Sequence, residues 1–541
     1  MGIKGKALRI LINLLITLVI GVVAFYIILP PLNFSSQDFY SYIIGICVVY
    51  IASSLVTSGI KLEEGARGYF KTVFSNFKVA GCVILIMVLI MLVGSLSSWH
   101  VIRAGSYRDL ITVKSGDFST DVSEISYNKI PMLDYDSATR LGDRKLGELS
   151  DMVSQFEVSD FYTQINFNER PVRVTPLEYG DLIKWFNNRD GGIPAYLMID
   201  MANQNVEVVR LPEGEGIKYS PFEHFGRLLY RHIRFNYPTF IFSQPTFEID
   251  ENKTPYWVCP RIVKRIGLFG GTDIEGAVLV NAITGESEYY KEVPTWVDRV
   301  YPAELIMEQY DYYGQYINGF INSIFGQKGV TQTTSGYNYI ALDDDVYVYT
   351  GVTSVGSDQS NVGFLLSNQR TKETKYYTAS GATEMSAMAS AEGVVQHLKY
   401  NATFPLLLNV ASEPTYFVAL KDNASLVKMY AMVNVKQYQV VATGETVAEC
   451  ERKYIKLLQD NDMTEEVPML YREKTGNVSD IRSAVISGNT YYYLRFDDNK
   501  YYVAGASEFP LAIILNIGDS VSLKYEESEN EMLNITEIKR N

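Results

Sequence analysis

Histidine side chains are the first candidates for acid–base or metal chemistry, and the sequence holds 4 of them. His100, His224, His232 and His397 are scattered along the chain. His224 and His232 fall on one predicted helix but stand two turns apart, whereas two histidines that bind one metal ion from a helix stand four residues apart. We therefore interpret all four as solvated or core residues. The sequence contains no G-x-S-x-G elbow, P-loop, H-E-x-x-H motif or paired cysteine motif.

Aspartates and glycines offer two further kinds of chemistry. Asp134 and Asp136 are two residues apart, as at the start of a calcium loop, and Asp143 follows. The positions that should hold a third oxygen ligand, a glycine and a final glutamate hold Ala138, Thr139 and Lys145 instead. A calcium site and a solvated loop both stay open there, and the pattern favours the loop. Residues 343–345 are three consecutive aspartates between predicted strands, which favours a polar turn over a metal site. The glycines of residues 266–271 open a strand rather than a helix, which argues against a phosphate-binding loop.

The sequence thus predicts no catalytic, cofactor-binding or metal-binding residue, although a carboxylate pair hidden among its 62 acidic residues stays open. The net charge of -14 argues against a nucleic-acid surface, which needs clustered lysine and arginine. The chain is rich in tyrosine, with 40 residues, and this composition suits sheet surfaces and contact faces. Cys259 and Cys450 either form a disulfide or are two separate buried thiols, and their distance in sequence favours the thiols.

Three long apolar segments near the N-terminus are expected to anchor the rest of the chain in a membrane. Residues 8–29, 40–59 and 79–97 are long enough to span a bilayer, and residues 1–98 form the predicted membrane anchor. No cleavage site follows the first span, so we expect it to be retained. Cys47 and Cys82 lie in the second and third spans.

Basic residues predict the orientation of this anchor. They flank the first span and fill the loop between the second and third spans, at Lys4, Lys6, Arg9, Lys61, Arg67, Lys71 and Lys78. The positive-inside rule then places the N-terminus in the cytoplasm and everything after about residue 98 outside it. The middle of each span holds no ionisable residue, so an ion path through this bundle alone is not expected.

The remainder predicts an α+β fold. We expect a connector at 99–155, two α+β modules at 156–292, a long helix at 293–326 and one or more further modules at 327–470. Within these segments the pattern predicts helices at 176–186, 221–235, 381–399 and 445–458. From residue 471 short strand patterns dominate, including one at 511–515, and they predict a small OB-like β-barrel at 471–541.

One stretch occurs twice. Residues 276–290 (GAVLVNAITGESEYY) and 363–377 (GFLLSNQRTKETKYY) match without gaps at a glycine, a leucine, an asparagine, a threonine, a glutamate and two tyrosines. Each predicts a β-hairpin, and we interpret the match as a true repeat. Lys372 stands where the first copy has Gly285, so the second turn must differ or Lys372 must accept strain.

The first hairpin, with a helix upstream, resembles PepSY-type modules, and residues 363–377 and 197–211 (LMIDMANQNVEVVRL) resemble them more loosely. The resemblance covers about a third of the chain and implies small α+β units that regulate or bind peptides in exported and membrane proteins. The whole chain also resembles multi-pass membrane proteins of Gram-positive bacteria. That likeness implies no particular activity and transfers no functional residue.

Together these features predict a non-enzymatic, membrane-anchored extracytoplasmic binding or scaffold protein of the cell envelope. Its expected partners are the lipid bilayer, a peptide or envelope protein, and further copies of itself, with no nucleic acid and no cofactor. Two alternatives stay open, namely an envelope hydrolase that uses a carboxylate pair and an oligomeric channel.

Overall fold

The computed structural model describes residues 3–58, 77–122, 130–342, 344–356, 360–464, 471–486, 489–498, 500–526 and 532–541. It shows an α+β protein with three N-terminal helices of membrane-spanning length, followed by several small sheets. The chain divides into two compact units, the first comprising Met1–Ala387 with Phe404–Leu407 and the second Met388–Thr403 with Leu408–Asn541.

The three predicted spans are helices. Their bounds are α1 (Ile3–Ile28), α2 (Gln37–Ser58) and α3 (Lys78–Ser97), and each is long and apolar enough to cross a bilayer. Helix α2 packs against both neighbours. Asn13 on α1 joins it to α2, because its amide donates to the Ser54 hydroxyl (2.9 Å) and its carbonyl oxygen accepts from the Thr57 hydroxyl (2.9 Å). The basic loop residues Lys61, Arg67 and Lys71 lie outside the described residues.

The segment predicted as a connector holds helices. After α3 come α4 (His100–Arg108), β1 (Val113–Ser115), α5 (Phe118–Asp121) and α6 (Tyr135–Gly147). The predicted aspartate-rich loop is wrong, because Asp134 is the N-cap of α6 and accepts a hydrogen bond from the Ser137 N–H (3.0 Å). Helix α6 then buries Ala138 and Leu146.

Four consecutive sheets share one topology. In each, a helix is followed by two short strands, which both pair with a long third strand, and then by two further antiparallel strands. We call the first three of these repeats modules 1, 2 and 3.

Module 1 follows α6 and consists of β2 (Phe156–Val158), β3 (Thr163–Phe167), β4 (Arg170–Tyr179), β5 (Ala195–Asp200) and β6 (Val206–Arg210), with α7 (Leu182–Asn188) inserted after β4. Module 2 consists of α8 (Leu229–Asn236), β7 (Ile241–Phe242), β8 (Thr246–Ile249), β9 (Pro255–Ile266), β10 (Gly270–Asn281) and β11 (Ser287–Tyr290). Strands of both sheets bury one shared apolar core, which includes Val174, Leu197, Phe247 and Trp257.

Module 3 consists of α9 (Ala303–Gln315), the short α10 (Gly319–Ile321), β12 (Thr331–Thr333), β13 (Asn338–Leu342), β14 (Asp345–Ser354), β15 (Ser360–Asn368) and β16 (Thr374–Ala382). Strand β1 joins this sheet parallel to β16. The fourth repeat consists of α11 (Glu384–Val394), β17 (Asn401–Ala402), β18 (Leu406–Val410), β19 (Glu413–Lys421), β20 (Val427–Asn434) and β21 (Val441–Gly444), and α12 (Val447–Asp460) follows it.

The last sheet has six strands: β22 (Tyr471–Asn477), β23 (Asp480–Ile486), β24 (Asn489–Arg495), β25 (Tyr501–Gly505), β26 (Ser520–Glu526) and β27 (Met532–Arg540). Their order is β22-β26-β27-β25-β24-β23, and no pairing between β22 and β23 is described, so a closed barrel is not shown. The strand predicted at 511–515 is instead a 3-10 turn at Pro510–Ile514, with proline at its start.

Several predicted helices begin later than the sequence suggested, among them the one predicted at 221–235, which begins at Leu229. Pro176 and Leu177 belong to β4, whose buried run pairs with β5, and α7 begins only after Asp181, whose carboxylate accepts from the Ile183 and Lys184 N–H groups (both 2.8 Å). The long helix predicted at 293–326 begins only at Ala303, directly after Pro302, and ends at Gln315, before the separate short helix α10. The residue before a proline is disfavoured in the helical conformation, so the helix does not extend back past Pro302. The segment at 297–301, in which Val297, Asp298 and Val300 are buried, is a loop.

Module 2 fastens the membrane helices to the sheets. The Arg234 guanidinium on α8 donates to the Leu29 carbonyl (3.0 Å), one residue beyond α1. At the end of α3, the Ser98 hydroxyl accepts from the N–H groups of Phe269 and Gly270 (both 3.1 Å), which form the turn between β9 and β10. The Phe269 ring also stands edge-on to Tyr40 of α2, at 5.7 Å. The sheets are therefore joined directly to all three helices.

Both predicted hairpins are present and have the same register. Ala277 pairs with Tyr290 in the first, and Phe364, at the equivalent position, pairs with Tyr377 in the second. In both turns the asparagine side chain accepts two backbone hydrogen bonds of 2.9 Å. Lys372 adopts the left-handed conformation of Gly285 (φ 64° against 79°), so of the two alternatives the turn is the same and Lys372 accepts the strain.

The turn of module 1 repeats this geometry a third time. Asp200 accepts from the Ala202 and Asn203 N–H groups (2.9 and 3.0 Å), and Gln204 has φ 64° at the position equivalent to Gly285. The sequence resemblance of residues 197–211 to the hairpins is loose because no residue type is shared across all three turns.

We expect Gln204→Gly to stabilise the protein by about 0.5 to 1 kcal/mol, because glycine removes the cost of a left-handed side-chain-bearing residue. Gly285→Ala should destabilise it, because the new Cβ would meet the Tyr219 ring. The check is the urea midpoint of the full-length protein in detergent. An unchanged midpoint for both variants would contradict the common turn geometry.

Candidate functional site

A cleft of about 510 Å³ lies where modules 1, 2 and 3 meet. One wall is the segment before β3 (residues 160–163), a second comes from β7 to β10 of module 2, and the third is the segment that enters α9 (residues 299–308). A pocket of this size, formed where several elements meet, is typical of a ligand site.

Flat apolar groups form much of the wall. They are three prolines and three aromatic residues, namely Pro245, Pro260, Pro302, Phe161, Tyr162 and Tyr301. Phe161 is held by an edge-on contact with the buried Trp257 ring at 5.4 Å. Because proline has no N–H, this part of the wall offers van der Waals contact rather than hydrogen-bond donors. It suits an extended chain or another flat apolar group.

Carboxylates outnumber cations in the lining. Asp160, Glu304 and Glu308 line the cleft together with one guanidinium, that of Arg299. Glu304 accepts a hydrogen bond from the Tyr337 hydroxyl (2.5 Å), and Glu308 accepts one from the Tyr312 hydroxyl (2.7 Å). Within the ranges that the structure describes, none of the three carboxylates is in an ion pair.

Arg299 in the lining and Lys264 beside it each donate a hydrogen bond to a hydroxyl group. Arg299 donates to the Tyr339 hydroxyl (2.9 Å), and its guanidinium stands 4.7 Å from the Tyr339 ring. Lys264 donates to the Thr272 hydroxyl (2.8 Å), and burial lowers its pKa while the Glu308 carboxylate opposes that change. Three carboxylates against one guanidinium therefore make the lining of the cleft net acidic.

Glu248, directly behind the cleft wall, holds the third wall in place. It lies on β8, is 0% exposed, and accepts hydrogen bonds from the Asp298 N–H (2.8 Å), the Arg299 N–H (3.2 Å) and the Thr246 hydroxyl (3.1 Å). Burial raises the pKa of Glu248 to about 7, because removal from water disfavours the charged form more than these bonds favour it.

Asp298 extends the same connection to module 1. It is 1% exposed, and one of its carboxylate oxygens accepts from the Asn166 N–H of β3 (2.6 Å). Burial first, and then the nearby Glu248 carboxylate, raise the pKa of Asp298. The two carboxylates thus join module 2 to the segment before module 3, and that segment to module 1.

A buried polar surface lies between modules 1 and 3. Gln164 and Arg173 face each other on β3 and β4, and they are only 1% and 8% exposed. Burial lowers the pKa of Arg173 to about 10, and the Tyr339 hydroxyl on β13 opposes that change. Neither side-chain polar atom of Gln164 has a hydrogen-bond partner among the residues that the structure describes.

The structure does not bring the histidines together. His100 lies 3.0 Å from the Tyr316 hydroxyl, His224 is edge-on to Trp185 at 4.6 Å, and His232 lies 2.7 Å from the Gly285 carbonyl. His397 belongs to a 3-10 turn, Gln396–Leu398, in the second unit.

The other candidates are also accounted for. Cys259 and Cys450 are buried free thiols, as favoured from sequence, and Cys47 and Cys82 are free as well. Asp345 forms an ion pair with Arg370 (2.7 Å), while Asp343 lies outside the described residues. The glycine-rich segment at 266–271 is the β9–β10 turn that contacts α3.

Sequence reasoning missed Glu248, Asp298 and the cleft carboxylates. Glu248 stands in the strand segment Thr246–Ile249, where an acidic residue flanked by Phe247 and Ile249 was the only local signal. Its partners lie 50 and 51 residues away along the chain. No protein-family model matches this chain, and no curated protein matches it either.

We expect Glu248 to make the folded state less stable as pH rises. Its folded pKa of about 7 lies above the ordinary value of 4.5, so the folded protein binds the extra proton, and this stabilising contribution is complete below about pH 4.5 and lost as pH rises through 7. Glu248→Gln should flatten that part of the curve of unfolding free energy against pH.

Chemical denaturation of the full-length protein at pH values between 4.5 and 8 measures this. The exposed Glu251→Gln is the matched control, and it should leave the shape of the curve unchanged. A Glu248→Gln curve parallel to that of the native protein would contradict the assignment.

Proposed function

We propose that this chain is a non-enzymatic, membrane-anchored binding protein of the cell envelope, whose cleft holds an extended basic segment of a peptide or protein partner. The observation that carries the proposal is the cleft itself, with a wall of prolines and aromatic rings and three carboxylates outside any described ion pair. Such a wall packs against an extended chain, and the carboxylates attract lysine or arginine side chains on it.

The anchor and the repeats support the same proposal. Three membrane-length helices near the N-terminus support attachment to a bilayer, and the basic residues around them support a cytoplasmic N-terminus and extracytoplasmic modules. The helix followed by an antiparallel sheet, repeated four times, supports PepSY-like modules. Six short strands near the C-terminus support an OB-like barrel.

Glu304 and Glu308 are the residues on which we expect binding to depend. They are one helical turn apart on α9, so their side chains lie on the same face of the helix, and both line the cleft. We expect the full-length protein in nanodiscs to bind a short peptide that alternates lysine with alanine, and not its glutamate counterpart. Glu308→Gln should weaken that binding about three- to tenfold, as the loss of one charge-assisted contact would.

Fluorescence anisotropy of the labelled peptides measures the affinity, with the exposed Glu213→Gln as the control variant. Added salt should weaken the lysine peptide's binding, because the contacts are electrostatic. Equal affinity for the lysine and glutamate peptides would contradict the proposal. So would undiminished binding of the lysine peptide by both Glu308→Gln and Glu304→Gln.

A second candidate, an envelope hydrolase, is favoured by the same two carboxylates, because two acidic groups on one wall of a cleft can serve as acid and base. The peptide experiment separates the two candidates. Mass spectrometry of the bound peptide after prolonged incubation should find it intact. Cleavage of the peptide that the Glu304→Gln variant abolishes would instead support the hydrolase and contradict the binding protein.

The proposal includes association between copies through the spans. A groove of about 390 Å³ between α1 and α2 supports it, because its lining includes Gly21, Ala24 and Gly45, and small residues let a further helix approach closely.

We expect Gly45→Leu to reduce this association without unfolding the bundle, because nothing lies within 4 Å of a Cβ at that position. Gly81→Leu on α3 is the matched control, since its Cβ would also meet open space. Mass photometry in detergent gives the number of copies. A native protein that is already monomeric would refute the association.

A further inference from the structure

Two groups of large apolar side chains are exposed on the first unit. The first apolar surface consists of Leu182, Ile183 and Phe186 on α7 together with Phe225, which are 63%, 74%, 60% and 66% exposed. Trp185 connects its parts, because its ring lies 6.4 Å from Phe186 and 6.1 Å from Phe225. Helix α7 lies between β4 and β5 of module 1. In module 2 the equivalent strands, β9 and β10, are joined by a short turn at residues 267–269.

This first surface lies beside the end of α1. The Arg231 guanidinium donates both to the Phe225 carbonyl (2.5 Å) and to the Tyr26 carbonyl (3.2 Å), and it stands 3.9 Å from the Tyr26 ring. Tyr26 is in the last turn of α1. Phe235, itself 55% exposed, lies 5.9 Å from the Phe25 ring, so a further exposed aromatic residue adjoins the end of α1.

The second apolar surface consists of Ile321, Ile324 and Phe325, with Trp99 and Ile102. These side chains are 74%, 52%, 84%, 54% and 64% exposed. The short helix α10 packs against α4, which brings the two parts together. Phe325 is the most exposed large apolar side chain of the described residues.

This second surface lies at the end of α3. Helix α4 begins at His100, and α3 ends at Ser97, so Trp99 and Ile102 follow the end of a membrane-length helix by two and five residues. His100 contacts the Tyr316 hydroxyl (3.0 Å), and the Tyr316 ring stacks on Phe320, directly before Ile321. A tryptophan at the end of a span is typical of the membrane–water interface.

Both surfaces therefore lie at the same face of the membrane. Helices α1 and α3 run in the same direction through the bilayer, because α2 returns the chain between them, so their C-terminal ends emerge on one side. Soluble proteins rarely leave such apolar surfaces in water. The bilayer that the adjoining helices are long enough to cross is the nearest apolar environment that could cover these surfaces.

Basic residues at the borders favour lipid over protein as that occupant. Arg189 stands 4.4 Å over the Phe186 ring at the first surface, where it also forms a long, exposed ion pair with Asp190 (3.8 Å), and Arg103 follows Ile102 at the second. The chain as a whole is strongly acidic, at -14, so arginines at these two borders match the phosphates of lipid headgroups.

We propose that both apolar surfaces enter the headgroup region of the leaflet at which α1 and α3 end, so that modules 1 to 3 rest on the membrane surface. Insertion of such side chains by about 5–10 Å is the depth reached by interfacial helices. The interaction surface is thus a lipid one, additional to the three spans and separate from the cleft.

Nitroxide labels on single cysteines test this in nanodiscs that contain phosphatidylglycerol. Ile183→Cys and Phe325→Cys report on the two surfaces, with Cys47 and Cys82 changed to alanine and the buried Cys259 and Cys450 retained. Val153→Cys is the control, because that residue is 46% exposed and belongs to neither surface. Phe186→Cys and Ile102→Cys serve as a second pair if a first variant does not fold.

Collision rates with oxygen, which concentrates in lipid, and with a water-soluble nickel chelate give the result. We expect labels at both surfaces to collide mainly with oxygen, and the label at residue 153 to collide mainly with nickel. Surface labels as open to nickel as the control would overturn the proposal. Labels shielded from both reagents would overturn it as well, because protein and not lipid would then cover these residues.

Discussion

The hydrogen bonds of the buried Glu248 carboxylate are the constraint on which the arrangement of modules 1 to 3 depends. A carboxylate without water is costly, and here the N–H groups of Asp298 and Arg299 offset that cost only when the segment before α9 lies against β8. The buried Asp298 carboxylate likewise accepts a hydrogen bond from the Asn166 N–H of β3. The cleft exists because this segment forms its third wall, so the position of its acidic lining follows from two buried acids that themselves face no ligand.

The membrane helices are joined to the modules by the same kind of interaction. The last carbonyl groups of a helix have no hydrogen-bond donor within the helix. At the end of α1 the Arg234 guanidinium donates a hydrogen bond to the Leu29 carbonyl. At the end of α3 the Ser98 hydroxyl meets two N–H groups of the β9–β10 turn. Because module 2 contacts α1, α2 and α3, the anchor also positions the sheets. Cleft, sheets and spans are one connected structure within the first unit.

Repetition explains how one chain reached this arrangement. Four sheets share a strand order, and three of their hairpin turns share a geometry in which an aspartate or asparagine side chain satisfies two N–H groups. Where copies differ, the difference has a structural consequence. Lys372 accepts a left-handed backbone that Gly285 adopts freely, and its amine pairs with Asp273 (2.6 Å), which links module 3 to module 2. Helix α7, absent from the equivalent turn of module 2, carries exposed apolar residues.

The sequence by itself determined what depends on neighbouring residues: the three spans, the paired hairpins with their asparagine turns, and amphipathic helix α12. Local pattern failed where distant contacts outweighed it. Pro176 and Leu177 follow the helical period of Trp185, yet pairing with β5 makes them a strand. The tertiary structure alone decided the cleft, because Glu248 meets Asp298 across 50 residues and Asn166 meets Asp298 across 132. Such contacts leave no periodicity, since burial and hydrogen bonding between distant segments depend on the completed packing of the modules.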